Sequence, residues 1–182
     1  FDECTPFNVN KEYTSKSMLR SHRWAIRSIN AFNSPHIYQP KFGSAGSQEV
    51  YGIIQGGIYK DLREESIYFN QNNIDTFGIA IGGSLGSNKE EMKEVVGFTA
   101  NKLKDNRPVH LLGIGDPIDI WEFVKNGIDT FDCVSPTRLA RHGSALIKGR
   151  KRKINLKNVK FKEKLEPIDS NCSCYTCQNF TL

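Results

Sequence analysis

Val109-His110-Leu111-Leu112-Gly113-Ile114-Gly115-Asp116-Pro117 is a short apolar run that ends in a glycine-rich turn and passes directly into a helix start. Asp116 is placed to cap that helix, and Pro117 occupies its first turn, where a missing N–H costs nothing. The spacing directs Ile118, Trp121 and Val124 inward, and Gly127 stops the helix. One strand–turn–helix unit defines no fold, but its repetition does.

The repeat extends both ways. Tyr51 to Ile54 is a β-rich run ending in Gln55-Gly56-Gly57, with a helix expected from about Asp61 to Gln71. Phe77 to Ile81 ends in Gly82-Gly83-Ser84. Its helix is announced by the capping box Ser87-Asn88-Lys89-Glu90, with Met92, Val95, Val96 and Leu103 on one face. Asp129 to Val134 is the last run. Strands alternating with helices imply an α/β fold with parallel strands joined by right-handed crossovers. An open doubly wound sheet and a TIM (β/α)8 barrel both fit. The barrel is favoured because every run ends in glycine or polar residues, and barrels gather ligand groups at the carboxyl ends of their strands. Four units cannot close eight strands, so the chain is expected to be the later half of a larger protein.

An amphipathic helix is expected from Ser15 to Phe32, with Met18, Leu19, Ile26 and Ile29 inward and a basic stripe of Lys16, Arg20, Arg23 and Arg27. That stripe is either a solvated face or a contact for RNA phosphates. Asn33 to Gly46, with Pro35 and Pro40, is expected to be a loop.

At 182 residues and 38% hydrophobic content, the chain can bury a sizeable core. No apolar run is long enough to span a membrane and no secretory leader is visible, so a soluble, cytoplasmic protein is expected. The net charge of +5 is concentrated: Lys148 to Lys164 holds nine basic residues against one acid, Glu163. Such a segment attracts phosphate, although a solvated loop is an equal reading.

Cys172-Ser173-Cys174-Tyr175-Thr176-Cys177 packs three thiols into six residues. In a reducing compartment, thiolates at this spacing suit three corners of a zinc tetrahedron. A fourth ligand is expected from outside this chain, since no Cys or His follows Cys177. Asp132, between Phe131 and Cys133, is either a partly desolvated acid at a strand terminus or the cap of the next turn. The basic run Thr137 to Arg141 that follows is expected to be a loop.

Phe1-Asp2-Glu3-Cys4-Thr5-Pro6, Gln55-Gly56-Gly57, Ala80-Ile81-Gly82-Gly83, Leu112-Gly113-Ile114-Gly115, Phe131-Asp132-Cys133, Pro136-Thr137-Arg138 and Arg141-His142-Gly143, in this order, resemble the bacterial tRNA-guanine transglycosylases. The resemblance implies a TIM barrel with a C-terminal zinc-binding subdomain. It implies an exchange of guanine at the tRNA wobble position for a queuosine precursor base, 7-aminomethyl-7-deazaguanine. Asp132 matches the family's nucleophile, which forms a covalent ester with ribose C1′. Asp2, Gln55 and Gly83 match base-recognition positions, and Cys4 lines the same pocket or packs in the core. Gly113, Ile114 and Gly115, with Thr137, Arg138 and Arg141, match the RNA-binding loops. His142 is a weaker candidate that equally suits a local cap. The implied partners are tRNA, the deazaguanine base and a second copy of the chain, and the implied cofactor is structural zinc.

On this basis residues 1–147 are expected to be a partial barrel carrying the pocket and nucleophile, and residues 148–182 a basic segment with an incomplete zinc subdomain. Two features depart from the family pattern: its N-terminal proton-accepting aspartate and its zinc-ligating histidine have no counterpart here. The chain by itself is therefore expected to be inactive. Ser84 also replaces a common leucine, which touches base preference. The rival is an RNA-binding module without catalysis, which accounts for the charge and cysteines but not for Asp2, Gln55 and Asp132 at strand ends. A phosphate-binding α/β enzyme is a third option, but Gly113-Ile114-Gly115 is too short for a dinucleotide fingerprint and no P-loop lysine follows.

Overall fold

The computed structural model describes residues 1–34, 48–103, 106–149 and 153–182, which divide into two compact units, Phe1–Asp132 and Cys133–Leu182. Most of the predicted loop (residues 35–46) and the centre of the basic segment (residues 150–152) lie outside the described residues.

The first unit is a four-stranded parallel sheet in the order β1 (Tyr51–Ile54), β2 (Gly78–Ile81), β3 (Val109–Leu111) and β4 (Thr130–Phe131). The crossovers are helices α2 (Lys60–Asn72), α3 (Lys89–Lys102) and α4 (Pro117–Val124), preceded by α1 (Lys11–Phe32). The alternating units expected from the sequence are therefore present as an α/β parallel sheet.

Because side chains alternate across a strand, the two faces of this sheet differ. On one face, Ile54 and Ile79 pack with Ile67 of α2, while Ile81, Val109 and Leu111 pack with Val96 of α3, Phe123 of α4 and Ile128. Fully burying a side chain such as Phe123 contributes about 2–3 kcal/mol. The other face carries Tyr51, Ile53, Ala80, His110 and Thr130. The register aligns Ile53, Ala80, His110 and Thr130 in one row. Two residues further along, the next row is Gln55, Gly82, Leu112 and Asp132, at the carboxyl ends of all four strands.

Several local expectations are corrected. Helix α1 begins at Lys11 because the Asn10 side chain caps it, accepting from the Tyr13 N–H at 2.9 Å. Its buried face is Thr14, Ser17, Met18, Ser21, His22, Ala25 and Ile29, which leaves Leu19 and Ile26 exposed. Each lies about 100° around the helix from a buried neighbour. Small residues on that face allow close approach: Thr5 and Ser17 hydroxyls meet at 2.7 Å, and the Glu3 N–H donates to Ser21 Oγ.

In α4, Asp116 does cap the helix and Pro117 does open it, but Ile118, Trp121 and Val124 face solvent. The buried pair is Asp119 and Phe123. Phe123 fills the core, and the Asp119 carboxylate accepts from Lys89 Nζ at 2.9 Å. At α3 the cap is Asn88, whose side chain accepts from the Glu91 N–H, while the Glu91 carboxylate takes the Ser87 N–H. The cap is thus one residue later than expected, and the Glu91 carboxylate closes on the residue before it.

The second unit holds α5 (Ser135–Arg141), an antiparallel pair β5 (Ser144–Leu146) and β6 (Lys153–Asn155), and α6 (Tyr175–Asn179). The run from Thr137 to Arg141 is helical, not a loop, because Pro136 supplies the first turn and the Arg138 N–H closes on Val134 O at 2.9 Å.

Candidate active site and metal cluster

Asp132 follows β4, and its carboxylate turns back across the sheet instead of capping α5, whose start has no side-chain cap. Its Oδ1 accepts from the Gly113 N–H at 2.9 Å and lies 3.1 Å from His110 Nε2. The backbone bond to Gly113 is the main cause that holds this carboxyl below its usual value; burial opposes it and His110 adds to it. Gly113 adopts φ +73°, a left-handed conformation that glycine takes without strain and that aims its N–H at Asp132. The acid is therefore anionic and half exposed.

Gln55 is wholly buried after β1. Its Nε2 donates to Asp2 Oδ2 at 2.6 Å, whereas its Oε1 has no partner among the described residues. Gly83 sits against that oxygen with φ +80°, and a Cβ there would collide with it. A buried acceptor without a donor costs about 1–3 kcal/mol, which marks it as a place kept for one. Beside it, an open groove of about 670 Å3 is lined by Cys4, Gly83, Ser84, Leu112 and Ile114 among others. The structure thus brings Asp2, Gln55, Gly83 and Cys4 to one end of the sheet; Cys4 is exposed, not a core residue.

Two residues of this site escaped sequence reasoning. Arg63, fully buried on α2, donates to Gly57 O at 2.8 Å, Gly82 O at 3.1 Å and Ser84 O at 3.3 Å, with Ile54 O at 3.5 Å. Burial pulls its pKa down to about 10. It ties together the turns after β1 and β2 that hold Gln55 and Gly83. His110 is the other, and a polar residue inside the apolar run 109–112 was its visible signal.

The support extends outward from Gln55. Its N–H donates to Ser66 Oγ at 3.0 Å, so the Ser66 hydroxyl proton is free to reach His22 Nε2, also at 3.0 Å. His22 stacks on Phe69 with ring centroids 4.0 Å apart, and burial lowers its pKa to about 4, keeping it a neutral acceptor.

In the second unit, Arg138 and Arg141 are exposed one turn apart on α5, and the Thr137 hydroxyl donates to Val134 O. His142 Nδ1 lies 2.7 Å from Arg138 O and caps the helix end, the structural role of the two considered. Ile114 packs partly against the core and Gly115 is half-buried.

The Sγ atoms of Cys172, Cys174 and Cys177 lie within 4.8 Å of one another. They are brought together because Cys174 precedes α6 and Cys177 lies in its first turn, with Gln178 Nε2 donating to Cys172 O. The Cys177 N–H, then the neighbouring thiols, hold the Cys174 thiol below its usual value. Three converging sulfurs fit a metal that prefers tetrahedral thiolate ligands. No helix among the described residues is long and apolar enough to cross a membrane.

A parallel α/β sheet that carries Gln55, a glycine turn and Asp132 at the carboxyl ends of its strands defines the class as an α/β protein with crossover helices. The chain belongs to the queuine tRNA-ribosyltransferase family, whose model matches residues 1–182. A Queuine tRNA-ribosyltransferase of Roseiflexus sp. (strain RS-1) is 42% identical over 185 residues, covering 100% of this chain and 46% of the relative. One of Oleidesulfovibrio alaskensis is 44% identical, covering 99% and 45%. One of Francisella tularensis subsp. novicida is 41% identical, covering 100% and 46%. The chain thus spans a little under half the length of these relatives.

Proposed function

We propose that the full-length protein is a tRNA-guanine transglycosylase that exchanges guanine at the anticodon wobble position for 7-aminomethyl-7-deazaguanine. The observation that carries this reading is the Asp132 carboxylate, held anionic by the Gly113 N–H in the same row of the sheet as Gln55. A carboxylate oxygen forms a bond to ribose C1′ as the bond from C1′ to the purine breaks, and the electron pair leaves with the base. The departed base takes up a proton; the incoming base then attacks C1′ through a ring nitrogen that gives up its own proton, the ester C1′–O bond breaks, and its electron pair returns to the carboxylate. Asp2 accepts from the purine N–H groups, and Gln55 offers donor and acceptor to the base edge. Gly83 lets the backbone approach the base.

In this reading the parallel sheet is part of a (β/α)8 barrel, with the pocket and nucleophile in residues 1–147. Residues 148–182 supply a basic segment and a structural zinc site of Cys172, Cys174 and Cys177. Gly113, Ile114, Gly115, Thr137, Arg138 and Arg141 meet the tRNA, the protein is cytoplasmic, and a second copy completes a homodimer. The chain by itself lacks activity.

The test is mass spectrometry of the full-length protein incubated with tRNA. A denaturation-resistant protein–tRNA adduct that vanishes in Asp132→Asn, with tRNA affinity kept within a few fold, supports the enzyme. Tight binding without any adduct returns the protein to a non-catalytic RNA-binding module.

A further inference from the structure

We propose that His110 is a positioning residue for Asp132: it fixes one carboxylate oxygen and so assigns the attack on C1′ to the other. This rests on the reading of Asp132 as the nucleophile.

The arrangement follows from the register. His110 lies in mid-β3 on the site face, between Ala80 and Thr130. Its ring is held from two sides, with Nδ1 2.8 Å from Thr130 Oγ1 and the Tyr51 ring edge-on at 6.3 Å. An ionised carboxylate only accepts, so the 3.1 Å contact requires the proton on Nε2. The Thr130 hydroxyl suits either state of Nδ1, because it donates to a bare nitrogen and accepts from a protonated one. Among the described residues, Tyr51 and Asp132 are the titratable groups that face the ring; β2 contributes Ala80 at this level.

Both donors converge on the same atom. Gly113 N–H and His110 Nε2 each reach Oδ1, and neither reaches Oδ2. Two hydrogen bonds draw charge onto Oδ1 and stop the carboxylate from rotating, which leaves Oδ2 as the freer electron pair. In the ester, Oδ2 is bonded to C1′ and Oδ1 becomes the carbonyl oxygen, still facing both donors. When the incoming base displaces the ester, negative charge returns to Oδ1 where those donors already wait, which makes the carboxylate a better leaving group. His110 therefore acts on both half-reactions without touching substrate.

The experiment uses the full-length protein and tRNA, with adduct formation followed in single turnover. His110→Phe should slow adduct formation by about 10- to 100-fold with the KM for tRNA within about twofold, because a positioning donor is lost while binding surface remains. It should also move the acid limb of the pH–rate profile upward, since one of the donors that lower the Asp132 pKa is gone. His110→Gln, which keeps an N–H donor, should recover most of the rate. If His110→Phe fails to fold, Thr130→Val, which frees the ring at Nδ1, should give a smaller slowing of the same kind. An unchanged adduct rate and acid limb in His110→Phe, or in Thr130→Val when that variant stands in, overturns the proposal. An adduct that persists in Asp132→Asn overturns the nucleophile reading instead, so the two failures are distinguishable.

Discussion

Gln55 and Asp2, 53 residues apart in the chain, are joined by a 2.6 Å hydrogen bond that uses one of the two amide N–H groups, while the buried carbonyl oxygen of the same side chain has no partner among the described residues. One bond therefore orients the amide, and its free end faces Gly83. Any partner for that oxygen must bring a donor, and the protein supplies none of its own among the described residues.

Gly83→Ala should weaken binding of the deazaguanine base by about tenfold or more. A methyl group would meet Gln55 Oε1 in a left-handed backbone position that costs about 1–3 kcal/mol for a residue with a Cβ. Calorimetric titration with the free base measures this; wild-type affinity would separate Gly83 from the pocket.

Arg63→Lys keeps a cation but cannot reach all of the carbonyls that the guanidinium spans, so we expect a loss of about 2 kcal/mol in urea unfolding. Arg63→Met should cost more, because several carbonyls lose their donor at once. Stability equal to wild type in both variants would mean that the turns hold themselves.

His22 sets a pH dependence of stability. Its folded pKa, lowered to about 4 by burial, lies below the ordinary histidine value, so between them the unfolded chain binds the proton more strongly. The contribution is complete above about pH 6.5 and is lost as pH falls from there toward about 4. Urea midpoints measured across this window should fall with pH, and fall less in His22→Gln, which keeps an acceptor for Ser66. Parallel curves for the two proteins would contradict this.

Arg138→Ala and Arg141→Ala should each weaken tRNA binding and reduce the slope of log affinity against log salt by about one unit, with the fold intact. Both side chains are exposed on α5, so no packing is lost. Unaltered slopes would show that this face does not meet phosphate.

Cys177→Ser in the full-length protein should lower zinc affinity by at least about 100-fold, since a thiolate ligand is replaced by a hydroxyl that stays protonated. Zinc retained after dialysis against a mild chelator reports it. Full occupancy in the variant would place the metal elsewhere.

The strand–helix alternation was legible because glycine turns, Asp116 and Pro117 punctuate apolar runs of the right length. The inward face of a helix was less so. Hydrophobicity pointed to Leu19, Ile26 and Trp121, while burial went to Ser17, Ser21, His22 and Asp119. Those polar residues are buried because partners across the fold satisfy them, as Lys89 does for Asp119 and Ser66 does for His22. The strand-end position of Asp132 could be read locally; its hold by Gly113 and His110 depends on β3 lying beside β4, which no local pattern contains. Arg63 was hidden for the same reason, since an arginine on a helix is ordinarily a solvated cation.

The guanidinium of Arg63 also has a kinetic meaning. Because a single side chain bonds to carbonyls of the turns after both β1 and β2, neither turn can open without releasing it. The amide protons of residues 56–57 and 82–84 should then exchange with solvent deuterium as one cooperative group, not as two independent loops. Under the proposed function, base release would be coupled to that shared opening, so the lifetime of the occupied pocket would be governed by a residue that the base never meets.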